Sequence, residues 1–227
     1  MEKIRQNIER VKEKVENAKI RAGRNDDVTI IAVTKTVPPQ RINEAIEAGI
    51  LDIGENRVQE LLSKYENISK NAKIHLIGHL QRNKFKYILG KTALIHSVDS
   101  ERLLEHIDNL SKNNGIVTDI LLQLNISGEE SKYGLTTAQL DYIINKIERY
   151  ENIRVRGLMT IAPFYEDKEK TRPVFQQMYE IFCNLKEKNV KNVKMEYLSM
   201  GMSNDFEVAV EEGSNMIRIG TAIFGSR

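Results

Sequence analysis

"VTIIAVTKTVPPQRINEAIEAG" (residues 28–49) is the stretch on which the fold turns. Its first seven residues form a nearly unbroken apolar, β-branched run, where a half-solvated strand would alternate. Continuous runs of this kind belong to strands covered on both faces, the condition of parallel sheets. A helical pattern, "PQRINEAIEAG", follows directly, so the stretch reads as one strand–helix unit.

The same unit recurs along the chain. Apolar runs fall at "LDIG" (51–54), "KIHLIG" (73–78), "ALIHSV" (93–98), "DILLQLN" (119–125), "VRGLMTI" (155–161), "MEYLSM" (195–200) and "MIRIGTAIF" (216–224). Helical patterns such as "SERLLEHIDNLSKNNG", "TAQLDYIINKIERY" and "TRPVFQQMYEIFCNLKEKN" separate them. Alternation of this kind favours parallel crossovers, and eight units suggest closure into a single (β/α)8 TIM barrel. An open doubly wound sheet is the alternative. Ahead of the barrel, Ile4, Ile8, Val11, Val15 and Ala18 recur at helical spacing. The expected organisation is one domain over 1–227, with an N-terminal helix within 1–25 and the barrel over 28–224.

Composition narrows the function classes. Lysine plus arginine number 34 against 32 acidic residues, interleaved, so no basic footprint argues for nucleic acid. Cys183 is the only cysteine and lies in a helical stretch, which suits a reducing compartment. No apolar segment approaches the roughly 18 residues of a membrane-spanning helix, and the amino terminus is charged rather than signal-like. The expectation is a soluble, cytoplasmic protein. No Walker loop, HExxH or metal-spaced Cys/His cluster is present.

In a barrel, the strand ends feed one face where chemistry is built. Lys35 ends the first run; Glu55 and Asn56 follow the second; His79, Asp99 and Asn125 follow the third, fourth and fifth. Met159 and Thr160 end the sixth, Ser199 and Met200 the seventh, and Arg218, Gly220 and Thr221 belong to the eighth. A single His or Asn after a strand is commonly a turn or cap. "LSMGMSND" (198–205) and "IGTAIFG" (219–225) are more specific, because loops after strands seven and eight form the recurrent phosphate site of such barrels. A lysine inside a barrel, near a phosphate site, is costly unless its charge is paired or its pKa is lowered. Condensation of its neutral amine with an aldehyde removes that charge. Pyridoxal 5′-phosphate carries both groups. Alternatively, Lys35 snorkels to the rim and is structural.

The motifs "AVTKTVPP", "GENRVQEL", "IHLIGHLQRNK", "LLQLNISGEESKYGL", "RGLMTIAP" and "LSMGMSNDFEVAVEEGSNMIRIGTAIFG", in this order, resemble the pyridoxal phosphate homeostasis protein family (the YggS/PROSC type). The resemblance implies a barrel like the amino-terminal domain of alanine racemase, with pyridoxal phosphate held as an imine on Lys35. It maps phosphate contacts onto Ser199, Met200, Gly220 and Thr221, a pyridine contact onto Arg218, and a ring-side contact onto Asn56. Arg57 stands where many members have Tyr after "GEN". An arginine at the pyridine nitrogen implies an unprotonated ring and a weaker electron sink, which disfavours transamination. Alanine racemase also uses a second, β-rich domain and a tyrosine from a dimer partner, whereas this chain ends at Arg227, soon after the eighth run. The resemblance therefore implies a monomeric, non-catalytic carrier of the cofactor, with apo-enzymes that use it as possible partners. A racemase acting through Lys35, or a Schiff-base aldolase on a sugar phosphate, are the enzyme alternatives.

Overall fold

The computed structural model describes residues 2–129 and 132–225. Its strands are β1 (Thr29–Val33), β2 (Asp52–Glu55), β3 (Lys73–Leu76), β4 (Leu94–Val98), β5 (Thr118–Leu124), β6 (Ile153–Thr160), β7 (Val193–Met202) and β8 (Met216–Ile219). They are parallel and close in sequence order into a barrel. The pairing of β8 back onto β1, with Ile30 level with Ile217 and Ala32 level with Ile219, excludes the open sheet.

The helices are α1 (Glu2–Arg21), α2 (Pro39–Glu47), α3 (Val58–Lys64), α4 (Arg82–Phe85), α5 (Glu101–Asn113), α6 (Thr137–Ile144), α7 (Arg172–Glu187), α8 (Phe206–Glu211) and α9 (Thr221–Phe224). Ile4, Ile8, Val11, Val15 and Ala18 are the buried face of α1, as their spacing requires. Gly23, with φ of 64°, ends that helix, and the Arg24 amide returns to the Lys19 carbonyl at 2.9 Å. α1 packs against α8 and α9, tied by Arg21–Glu211 (2.6 Å) and by Asn7 Nδ2 donating to Ile223 O (2.8 Å). It thereby braces the part of the barrel that follows β7 and β8.

One element departs from the sequence reading. The run 216–224 is not a single strand: it stops at Ile219, and after Gly220 the segment Thr221–Phe224 turns into α9. The Ile223 and Phe224 amides both donate to the Gly220 carbonyl at 3.0 Å, while both side chains stay buried. A short apolar run serves a buried helical turn as well as a strand, and periodicity cannot separate the two.

α6 starts with a capping box. The Gln139 amide donates to Thr136 Oγ1 (3.2 Å), and the Thr136 amide donates to Gln139 Oε1 (2.9 Å). Thr136→Ala should cost about 1 kcal/mol of stability, checked by the denaturant midpoint at unchanged slope.

The barrel interior is divided. Ile31, Leu94, Leu121, Met159 and Met216 form an apolar cluster of their own. The polar side chains of His75, His96, Ser199 and Arg218 are also buried, and a bond between His96 on β4 and Ser199 on β7 spans strands that are not neighbours. These polar groups therefore meet inside the barrel.

Candidate functional site

Lys35 lies in the turn between β1 and α2 and is half-buried. Among the described residues its side chain has neither a hydrogen-bond nor an ion-pair partner. Its backbone neighbours are fixed. The Thr34 amide donates to Gly54 O (2.9 Å), the Thr34 carbonyl accepts from Lys64 Nζ (2.8 Å), and the Thr36 amide donates to Glu60 Oε1. Thr36 takes a left-handed φ of 61°, a conformation that costs a non-glycine residue about 1 kcal/mol. The surrounding bonds hold that turn in place.

A buried ionic cluster sits beneath it. Glu55 Oε1 accepts from Thr34 Oγ1 (2.7 Å) and Lys64 Nζ (2.9 Å), and Lys64 also reaches Glu60 (2.6 Å). Burial pushes the Glu55 carboxyl above the usual range, against the pull of Thr34 and Lys64. For Glu60, burial is outweighed by Lys64 and the Thr36 amide, and its carboxyl is lowered.

Strand register brings the sequence-nominated residues to one arc. Val33 pairs with Gly54, and Ala32 with Ile219. Lys35, Asn56 and Thr221 each follow within two residues of the ends of β1, β2 and β8, three adjoining strands, and so belong to the same end of the barrel. Asn56 Oδ1 is buried with no partner. Gly78 permits this corner to close, since a Cβ there would lie 2.3 Å from the Asn56 carbonyl oxygen. Gly220 and Thr221, with Val33, Thr36 and Arg41, line a cavity of about 320 Å³. The Gly220 amide donates to Ser203 Oγ at 3.2 Å. Met200 is buried, and its carbonyl accepts from Ser214 Oγ at 2.7 Å.

Arg218 is 3% exposed. It donates through Nη1 to Ser199 Oγ (2.6 Å) and through Nη2 to Thr160 O (2.8 Å). Burial brings its pKa down to about 10, so the guanidinium is still charged at neutral pH. The Ser199 hydroxyl is thus directed at Arg218 and at His96 Nδ1 (3.0 Å).

The remaining strand-end residues divide by role. Asn125 organises its own loop, donating to Glu129 O (2.9 Å) and accepting from the Gly128 amide (3.1 Å). His79 pairs with Asp99 at 3.2 Å and stacks on Tyr133 with centroids 3.9 Å apart. His79 and Asp99 line a separate cavity of about 700 Å³ with Gln81, Arg82 and Arg102. Lys64, Glu60, His75 and His96 were not singled out by sequence reasoning. A signal existed for the histidines, since "KIHLIG" and "ALIHSV" each place an imidazole inside an apolar run, where it must find a partner.

The family model of the alanine racemase N-terminal domain matches residues 1–227. A pyridoxal phosphate homeostasis protein of Aquifex aeolicus (strain VF5) is 43% identical over 222 residues, covering 97% of this chain and 96% of that protein. Its counterpart in Escherichia coli (strain K12) is 35% identical over 232 residues, covering 100% and 98%. The structure of PipY from Synechococcus elongatus PCC7942 with PLP bound is 32% identical, with a TM-score of 0.83 over 98% of this chain and 100% of that one. With a family model matched along its whole length and full-length relatives of one kind, this chain belongs to the alanine racemase N-terminal domain family, among the pyridoxal phosphate homeostasis proteins.

Proposed function

We propose that this protein binds pyridoxal 5′-phosphate at the β7–β8–β1–β2 arc, covalently as an imine of Lys35, and serves supply of the cofactor without catalysing a reaction of its own. The observation that carries the reading is Lys35, half-buried and with no side-chain partner among the described residues, at the same end of the barrel as Asn56, whose buried Oδ1 also has no partner. A buried polar atom left unbonded costs about 1–3 kcal/mol, and a polar ligand at this corner removes that cost. When bound, pyridoxal phosphate supplies an aldehyde that condenses with a neutral amine and releases water.

The protein's own groups divide the remaining tasks. Arg218 is assigned to the pyridine nitrogen, where its charge opposes ring protonation. The phosphate is assigned to Met200, Gly220 and Thr221, and to Ser199 through its backbone, because the Ser199 hydroxyl is already bonded to Arg218 and His96. Support for a non-catalytic role comes from relatives described as homeostasis proteins, while the place assigned to Arg218 weighs against transamination and leaves racemisation to be tested. We assign the protein to the cytoplasm as a monomeric single domain, with apo-enzymes that require the cofactor as partners.

The absorbance spectrum of the purified protein tests the reading. A band in the visible or near ultraviolet is expected from the imine, and its absence after incubation with pyridoxal phosphate would end the proposal in favour of a bare-lysine aldolase or a structural lysine. Chiral analysis after incubation with L-alanine tests the racemase reading. Turnover of order 1 per second or faster, typical of enzymes, would overturn the carrier role.

Thr221→Val removes a hydroxyl at constant shape. It should weaken retention of pyridoxal phosphate by about tenfold or more, the cost of one charge-assisted hydrogen bond of roughly 1.5–3 kcal/mol. Equilibrium dialysis measures this. The imine band itself should keep its position.

A further inference from the structure

Beneath Arg218 a line of hydrogen bonds crosses the barrel from β8 to β2. Arg218 Nη1 donates to Ser199 Oγ at 2.6 Å. Ser199 Oγ lies 3.0 Å from His96 Nδ1, and His96 Nε2 lies 2.9 Å from His75 Nδ1. His75 Nε2 lies 3.0 Å from Asp52 Oδ1. Ser199 and His96 are fully buried, and His75 is nearly so. Asp52 opens β2 at the end of the barrel opposite Lys35, with 21% of its side chain exposed.

The chemistry at the two ends dictates where the protons lie. Arginine only donates and an ionised carboxylate only accepts. Asp52 therefore takes the proton of His75 Nε2. With that imidazole neutral, His75 Nδ1 must accept, so the His96 proton is on Nε2. His96 Nδ1 then accepts in turn, from the Ser199 hydroxyl, whose oxygen accepts from Arg218. Each link has one proton, and all point toward Asp52.

A second proton on either ring breaks this order. It would set two donors on Ser199 Oγ, leave the serine hydrogen without an acceptor, and add a cation to a space already holding Arg218. Burial, then the neighbouring His75 and Arg218, hold His96 well below the ordinary histidine pKa. Among the described residues Arg218 has no direct ion-pair partner; Asp205 acts on it only at longer range. The aligned chain turns the lone-pair side of every group toward the guanidinium, which suits a buried cation.

We propose that Asp52, His75, His96 and Ser199 are positioning residues for Arg218: a one-way hydrogen-bonded chain that commits one of its N–H groups to the barrel interior and keeps the guanidinium charged and in place. The consequence for the bound ring rests on the cofactor reading above, whereas the chain itself does not.

Histidine ¹⁵N spectra of the full-length, ligand-free protein at neutral pH test the chain directly. Both buried rings are expected to be neutral, with the proton on Nε2. A proton on Nδ1 of His96, or two protons on either ring, would overturn the proposal. Asp52→Ala should redistribute the protons of His75 and also shift the His96 resonances, although His96 does not touch residue 52. Unmoved His96 signals in that folded variant would show that the links do not communicate.

In the loaded protein, Ser199→Ala should weaken pyridoxal phosphate binding about tenfold or more, and Ser199→Thr, which keeps the hydroxyl, should restore it. Equal affinity in wild type and Ser199→Ala would overturn the positioning role. If the wild-type protein binds no pyridoxal phosphate, the cofactor reading fails, and the tautomers still decide the chain.

Discussion

Lys35→Ala should leave a folded barrel from which borohydride fixes no pyridoxyl group to the protein. The loss is expected to be complete; the competing amine to exclude is Lys84, which is half-buried, lines a cavity with Asn56 and has no side-chain hydrogen-bond or ion-pair partner among the described residues. Lys64, the next amine along this arc, is buried and bonded to Glu55, Glu60 and the Thr34 carbonyl. Stability should change by less than about 1 kcal/mol, as expected where a side chain makes no polar contact. The turn itself is held through Thr34 and Thr36, whose bonds do not involve the Lys35 side chain. Residual, non-covalent binding of the cofactor fits this outcome. Peptide mass mapping after reduction is the measurement, and an adduct of wild-type yield on another lysine would remove Lys35 from its assigned role.

Arg218→Glu should raise side transamination. A carboxylate in place of the guanidinium favours a protonated pyridine ring and so a stronger electron sink. With added L-alanine, pyridoxamine phosphate and pyruvate should form at least about tenfold faster per bound cofactor, the change that about 1.4 kcal/mol of barrier produces. The substitution has a structural cost as well. Thr160 O loses its donor, an unmade buried hydrogen bond worth about 1–3 kcal/mol, while the Ser199 hydroxyl gains a new acceptor. Thermal midpoint and cofactor occupancy must therefore be read alongside the rate. A folded, loaded variant whose ratio stays at the wild-type level would show that Arg218 does not restrain the ring.

The two variants probe residues that differ in how far the sequence exposes them. Lys35 is conspicuous because a charge ends an apolar run; the fold places it in the turn after β1, half-buried and without a side-chain partner among the described residues. Arg218 is conspicuous for the same reason, inside "MIRIG". Its partners are not: Ser199 is 19 positions away and Thr160 is 58. Read alone, "LSMG" suggests a serine hydroxyl available to a phosphate. The fold instead turns that hydroxyl toward Arg218 and His96.

What the sequence determined by itself is what repeats locally. Continuous apolar runs, the intervening helical periods and the amphipathic face of α1 established strands, helices and their order, because each is a property of neighbouring residues and of burial on one or two faces. The tertiary structure alone decided closure, through the pairing of β8 with β1; the split of residues 216–224 into a strand and a helical turn; and the line from Asp52 to Arg218. The His96–Ser199 link joins residues 103 positions apart. Such a bond depends on the register of every intervening strand, and shifting one strand by a single residue would send its side chains to the opposite face of the sheet.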